Sequence, residues 1–96
     1  MRCLVCYDVE TVTKEGRRRL RRVAKFCESY GQRAQKSVFE IQLDDTTLVT
    51  FKHRIAGIIE PESDSLRIYF LDEDAYRKTI QIGESNLIDF EGPLIV

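Results

Sequence analysis

Cys3-Leu4-Val5-Cys6-Tyr7-Asp8-Val9 is an apolar run that closes on a charge, and from Lys14 the pattern changes. A run of this kind suits a central strand buried on both faces. Between residues 14 and 30 the apolar positions Leu20, Val23, Ala24, Cys27 and Tyr30 recur at three and four, which is helical spacing, and Gly31 is the expected stop. Across residues 33–43, Phe39, Ile41 and Leu43 alternate on one face while Val38 breaks the parity. That segment reads as two short strands meeting near Lys36–Val38 or as one sharply bent strand.

Asp44-Asp45-Thr46-Thr47 is a helix-start cluster, and Leu48, Phe51, Ile55 and Ile58/Ile59 follow at helical spacing. Pro61 and the acidic stretch Glu60–Asp64 are expected to end that helix. Leu66, Ile68 and Phe70 alternate as in a half-exposed strand. Asp72-Glu73-Asp74 reads as a turn leading into a helical turn, Thr79–Ile82 as a short strand and Gly83–Phe90 as loop. The order predicts an α+β fold, a ferredoxin-like βαββαβ sandwich with an additional C-terminal strand, in one domain over residues 1–96. A fold of this kind fixes nothing about activity.

Ninety-six residues bury only about 60–65% of the surface of the unfolded chain, and pairing with a second copy is one remedy for thin stability. Leu94-Ile95-Val96 is apolar to the last residue, where chain ends are usually polar, so a strand there is expected to pair with the edge of a partner's sheet. A homodimer is therefore expected. No apolar run approaches the ~18 residues of a membrane helix, and the first residues do not read as a signal peptide. The expected setting is cytoplasmic, without a membrane.

The formal net charge of -1 hides a division. Residues 14–36 carry nine Lys/Arg against two acids, and residues 37–96 carry five against twelve. Arg17, Arg18, Arg19, Arg21 and Arg22 fall within six positions. One strongly basic face on an otherwise acidic chain points to a polyanion; the plainer reading is a solvated helix face. At 100° per residue Arg18, Arg21, Arg22 and Lys25 lie opposite the apolar stripe, Arg19 near its edge and Arg17 somewhat further round.

Cys3 and Cys6 have Cys-x-x-Cys spacing but lie inside the apolar run, so they read as packing rather than as a redox pair. Cys27 falls on the helix stripe, and one His with no second Cys pair makes a zinc site poor chemistry. Asp8 is the sharpest feature, because a carboxylate ending a buried strand needs solvent, a partner or a metal. The residues alone slightly favour a turn or helix-cap role for it. His53, between Lys52 and Arg54, reads as a surface residue, and Ser37 has no base arranged beside it.

These residues together resemble the CRISPR-associated Cas2 family. The likeness rests on Tyr7-Asp8-Val9, the arginine-rich segment Arg17–Lys25, and Gly31-x-Arg33-x-Gln35-x-Ser37-Val38-Phe39-Glu40 directly after it. Asp64-Ser65-Leu66-Arg67-Ile68-Tyr69 and Gly92-Pro93-Leu94-Ile95-Val96 extend it over essentially the whole chain, in the pattern of the short members of type I-C systems. The resemblance implies a ferredoxin-like homodimer in which Asp8 of each copy meets across the twofold axis and shares one Mg²⁺. It implies a role in CRISPR spacer acquisition, with the dimer holding double-stranded DNA and bridging CRISPR integrase subunits. It implies metal-dependent endonuclease activity on single-stranded RNA or double-stranded DNA, with Asp8 as catalytic and metal-binding residue. Arg33, Ser37 and Phe39 match family positions directly as nucleic-acid-binding residues. Arg17, Arg19 and Arg22 match as part of the helix cluster, and Lys36 departs from the aromatic residue of many members. Two other readings stand beside this one: a purely structural DNA-binding adaptor, and a toxin-like ferredoxin-fold ribonuclease outside CRISPR.

Overall fold

A computed structural model describes residues 1–85 and 87 and the backbone of 94–95. Strand β1 (Arg2–Asp8) lies inside a four-stranded antiparallel sheet of order β2-β3-β1-β4. Its neighbours are β3 (Val38–Gln42) and β4 (Ser65–Leu71), with β2 (Gly31–Gln35) outside β3. This is the ferredoxin-like strand order, and the α+β expectation holds. The register sets Val5 opposite Phe39 and Ile68, and Asp8 opposite Ser65.

Parity decides what the sheet buries. Cys3, Val5 and Tyr7 of β1 and Phe39 and Ile41 of β3 point to one face and are buried there. Helices α1 (Lys14–Glu28) and α2 (Asp45–Ala56) supply Val23, Cys27, Phe51 and Ile55 to the same core. Phe51 packs on Phe26 and Tyr30 with ring centroids 5.2 and 5.0 Å away, joining the two helices. Fully burying a side chain of the size of Phe39 or Phe51 contributes roughly 1.5–3 kcal/mol. Leu4 and Cys6 on the opposite face of β1 are only half-buried, so the expected burial on both faces is corrected. The two long helices leave that face uncovered. Among the described residues, the five-residue helix α3 (Glu73–Arg77) supplies it with one buried side chain, Tyr76, whose hydroxyl donates to Glu40.

Two helix ends differ from the sequence reading, and one alternative it left open is decided. Helix α1 stops at Glu28 with Ser29 as its C-cap, and Gly31 serves a different purpose. A Cβ on Gly31 would sit 2.1 Å from the Glu40 carbonyl oxygen, so β2 approaches β3 this closely only without a side chain. Residues 33–43 form a hairpin turning at Lys36-Ser37, the two-strand alternative, with a register shift between Arg33 and Gln35 of β2; Val38 pairs with Cys6 and so lies on the sheet face opposite Phe39 and Ile41. Helix α2 starts on a capping box between Asp44 and Thr47 and ends at Gly57, before Pro61 and the acidic stretch.

The additional C-terminal strand is present: β6 (Leu94–Ile95) pairs in parallel with β5 (Ile80–Gln81) of the same chain, which engages one of its two edges. The outer edge of β4 carries no strand among the described residues. Of the loop expected at Gly83–Phe90, residues 86 and 88–90 lie outside the described residues, as do 91–93 and 96. No helix among the described residues is long and apolar enough to cross a membrane.

Candidate functional site

Asp8 is the last residue of β1 and is exposed. Odd residues of β1 face the helices, so Asp8 lies on the opposite side of the sheet with Leu4 and Cys6. Thr13, not Asp8, caps α1: its hydroxyl accepts from Gly16 N at 2.9 Å. The cap reading of Asp8 therefore fails. Its side chain makes no hydrogen bond or ion pair among the described residues.

The register brings other groups to this end of the sheet. Ser65 lies directly across from Asp8, and the Ser37 carbonyl accepts the N–H of Tyr7 at 3.1 Å. Ser37 is half-buried in the hairpin turn. Arg33 is exposed on β2, with its guanidinium 5.2 Å from the Phe39 ring centroid and an ion pair to Glu28 at 3.8 Å. Phe39 itself is fully buried, stacked near Tyr7 at 6.2 Å. It cannot stack on a base from that position. The expectation that it touches nucleic acid is corrected, and what the ring does is carry the guanidinium of Arg33 on its face.

The helix arginines divide into three kinds. Arg17 at the first turns of α1 is exposed and donates from Nη1 to the carbonyls of Thr11 and Val12, both at 3.0 Å. Arg22, further along, is exposed in an open cleft of about 500 Å³ between α1 and α2, with Phe26, His53, Arg54, Gly57 and Ile58. Arg18, Arg21, Arg22 and Lys25 are exposed and make no ion pair among the described residues. Arg19 is different. It donates from Nε to Asp64 Oδ2 at 2.8 Å and from Nη2 to Asp64 Oδ1 at 3.3 Å. Its place at the edge of the apolar stripe turns it toward a buried carboxylate, so Arg19 is corrected from a free phosphate-binding group to an internal counter-ion.

Asp64 is the residue that local pattern did not reveal. Its side chain is fully buried, and it also accepts from the backbone N–H of Glu10 at 3.2 Å and of Glu60 at 2.8 Å. The Arg19 hydrogen bond, opposed by burial, holds its carboxyl below the usual carboxylate range. The Glu10 carboxylate lies 3.7 Å from Arg19 and accepts from the Thr13 backbone and hydroxyl, and the Thr13 hydroxyl is the main cause of its lowered pKa. The advance signals for this network were the edge position of Arg19 and an acid closing the acidic stretch just before a strand.

Mg²⁺ takes one or two carboxylates and keeps several waters. Asp8 offers one exposed carboxylate, which fits one half of such a site. No group of three or more His, Cys, Asp or Glu side chains is arranged to hold a metal among the described residues. A second carboxylate would have to come from another copy.

Comparison with known proteins adds to this geometry. The family described as CRISPR associated protein Cas2 matches residues 1–79. "CRISPR-associated endoribonuclease Cas2 3" of Rhodospirillum rubrum is 50% identical over 93 residues, 97% of this chain and 98% of that protein. "CRISPR-associated endonuclease Cas2" of Halalkalibacterium halodurans is 47% identical over 95 residues, 99% of each. The crystal structure of Streptococcus pyogenes Cas2 at pH 6.5 superposes with a TM-score of 0.73 at 50% identity, covering 77% of this chain and 89% of that one.

Proposed function

The chain belongs to the CRISPR-associated Cas2 family, and on that premise we propose that it acts in CRISPR spacer acquisition as a homodimeric, Mg²⁺-dependent nuclease that binds nucleic acid through α1. The observation that carries this reading is the place of Asp8. It ends a central strand, faces away from the helices and has no side-chain partner among the described residues. The same sheet face presents half-buried Leu4 and Cys6 and exposed Tyr69, surface that a second copy related by a twofold axis would cover. Two Asp8 carboxylates brought together there would repel, and a divalent ion would relieve the repulsion. Bound Mg²⁺ would polarise a phosphodiester and lower the pKa of a bound water. The chain's own part is to present Asp8 at a fixed point and to hold the phosphate backbone with Arg17, Arg22 and Arg33. The names of the relatives, endoribonuclease in one and endonuclease in the other, support cleavage of RNA or DNA.

A second reading is favoured by the row Arg18, Arg21, Arg22 and Lys25, which makes no ion pair among the described residues. A non-catalytic dimer that carries duplex DNA between integrase subunits needs only that row. Asp8→Asn separates the two readings. It keeps the shape, and the expected result is loss of Mg²⁺-dependent cleavage and of the stabilisation by Mg²⁺ against heat, with DNA binding intact. Retained cleavage in the purified variant would overturn the catalytic assignment. Spacer acquisition that survives in cells carrying the variant would assign the biological role to bridging.

A further inference from the structure

Resting on the reading of Asp8 as a metal ligand, we infer that Asp64 is a positioning residue, whose buried carboxylate fixes the end of β1 and the loop after it so that Asp8 is held in place for the ion. A buried carboxylate must be fully satisfied, and Asp64 is, by donors from three separate stretches of chain. Glu60 N lies on its own loop, Arg19 Nε and Nη2 come from α1, and Glu10 N lies two residues past Asp8. Asp64 also directly precedes Ser65, the register partner of Asp8. One residue thus grips Asp8 from two directions: across the sheet through Ser65 and along the chain through Glu10.

The rest of that loop is tied down in the same manner. Val9 is buried. Glu10 is held by Asp64 through its N–H and by Arg19 and Thr13 through its carboxylate. The carbonyls of Thr11 and Val12 accept from Arg17. A connection between a strand and a helix does not need a tether at each residue, whereas a ligand-bearing loop gains from one, because a ligand whose neighbours are fixed binds its ion with less reordering. Asp64 also neutralises Arg19. Without it, the guanidinium would keep only the longer ion pair to Glu10 at 3.7 Å, close to the end of the sheet where a cation is to bind.

Asp64→Asn tests this in the dimeric protein. Asn offers one acceptor oxygen and turns an N–H₂ toward donors, so it cannot serve the same set. Removing a group that holds a metal ligand in place typically costs roughly 10–100-fold in metal affinity or activity, and a rise of about tenfold in the Mg²⁺ midpoint is expected, followed by the NMR shift of the Asp8 carboxyl carbon. The kcat for cleavage should fall by a similar factor while KM for the nucleic acid stays within about twofold, since the exposed arginines are untouched. Amides of residues 9–12 should exchange faster with solvent. If Asp64→Asn folds poorly, Arg19→Lys keeps the charge, loses the fork and should show the same split in weaker form. An unchanged Mg²⁺ midpoint and kcat in a folded variant with faster loop exchange would reduce Asp64 to a structural role and overturn the inference. Asp8→Asn serves as the reference. If it leaves Mg²⁺ binding and cleavage intact, the underlying ligand reading fails. If it abolishes both and Asp64→Asn changes neither, only the positioning role fails.

Discussion

Arg19 and Asp64, forty-five residues apart in the chain, meet through a two-pronged hydrogen-bonded ion pair, Nε to Oδ2 at 2.8 Å and Nη2 to Oδ1 at 3.3 Å. The carboxylate is fully buried and the guanidinium largely so. Breaking one side of a buried pair orphans the other, which is why the pair matters more by its loss than by its net contribution.

The pair gives the protein an acid-sensitive component of stability. The folded pKa of Asp64 is lowered, first by Arg19, so its contribution is fully present above the ordinary carboxylate pKa of ~4 and is lost as pH falls through the lower folded value. Melting temperature should therefore fall as pH drops below the ordinary carboxylate pKa of ~4, and Asp64→Asn should make that fall shallower. At neutral pH, Arg19→Ala should lower Tm by on the order of 10 °C, measured by circular dichroism.

Salt dependence separates the internal arginine from the exposed ones. Each phosphate that a variant no longer neutralises should reduce the slope of log affinity against log salt by about 0.9 on duplex DNA. Arg17→Ala, Arg22→Ala and Arg33→Ala should each do so and weaken all sequences alike. Arg19→Ala, assayed well below its melting temperature, should leave the slope unchanged. A reduced slope in that variant would mean that Arg19 does reach phosphate.

Gly16 is required for close approach. A Cβ there would lie 1.7 Å from Glu10 Oε1 and 2.2 Å from the Glu10 carbonyl oxygen. Alanine favours a helix interior over glycine by up to ~1 kcal/mol, but overpacking costs ~1–3 kcal/mol and should win here. Gly16→Ala is expected to destabilise the fold and to loosen the amides of residues 9–12, read by hydrogen exchange.

The sheet face bearing Leu4, Cys6 and Tyr69 should bury itself between two copies. Sedimentation should give about twice 11.2 kDa, and Tyr69→Glu should shift the equilibrium toward monomer. A maleimide should label Cys6 in the monomeric variant faster than in the dimer. Cys3 and Cys27 should stay unlabelled in both, being buried, with the Cys27 thiol pushed up to about 12 by burial. Equal labelling of Cys6 in both states would place the dimer interface on another surface.

The sequence by itself determined the periodic elements and the family. The alternation of Phe39, Ile41 and Leu43, the helical spacing of Leu20, Val23, Ala24 and Cys27, and the Asp44 helix start depend on neighbours a few residues away, and all three appear in the fold. Asp8 stood out for the same reason, as a charge closing a local apolar run. What each arginine does was decided only by tertiary structure. Arg17, Arg19 and Arg22 are alike in composition, yet one ties a loop, one neutralises Asp64 and one lines a cleft against a second helix. The burial of Phe39 under Arg33 and the pairing of Leu94–Ile95 with Ile80–Gln81 are likewise relations between separate segments of the chain. Local periodicity is written in spacing along the chain. The partner of a charge or the neighbour of a ring is set by which elements the closed sheet brings together, and spacing carries no record of that.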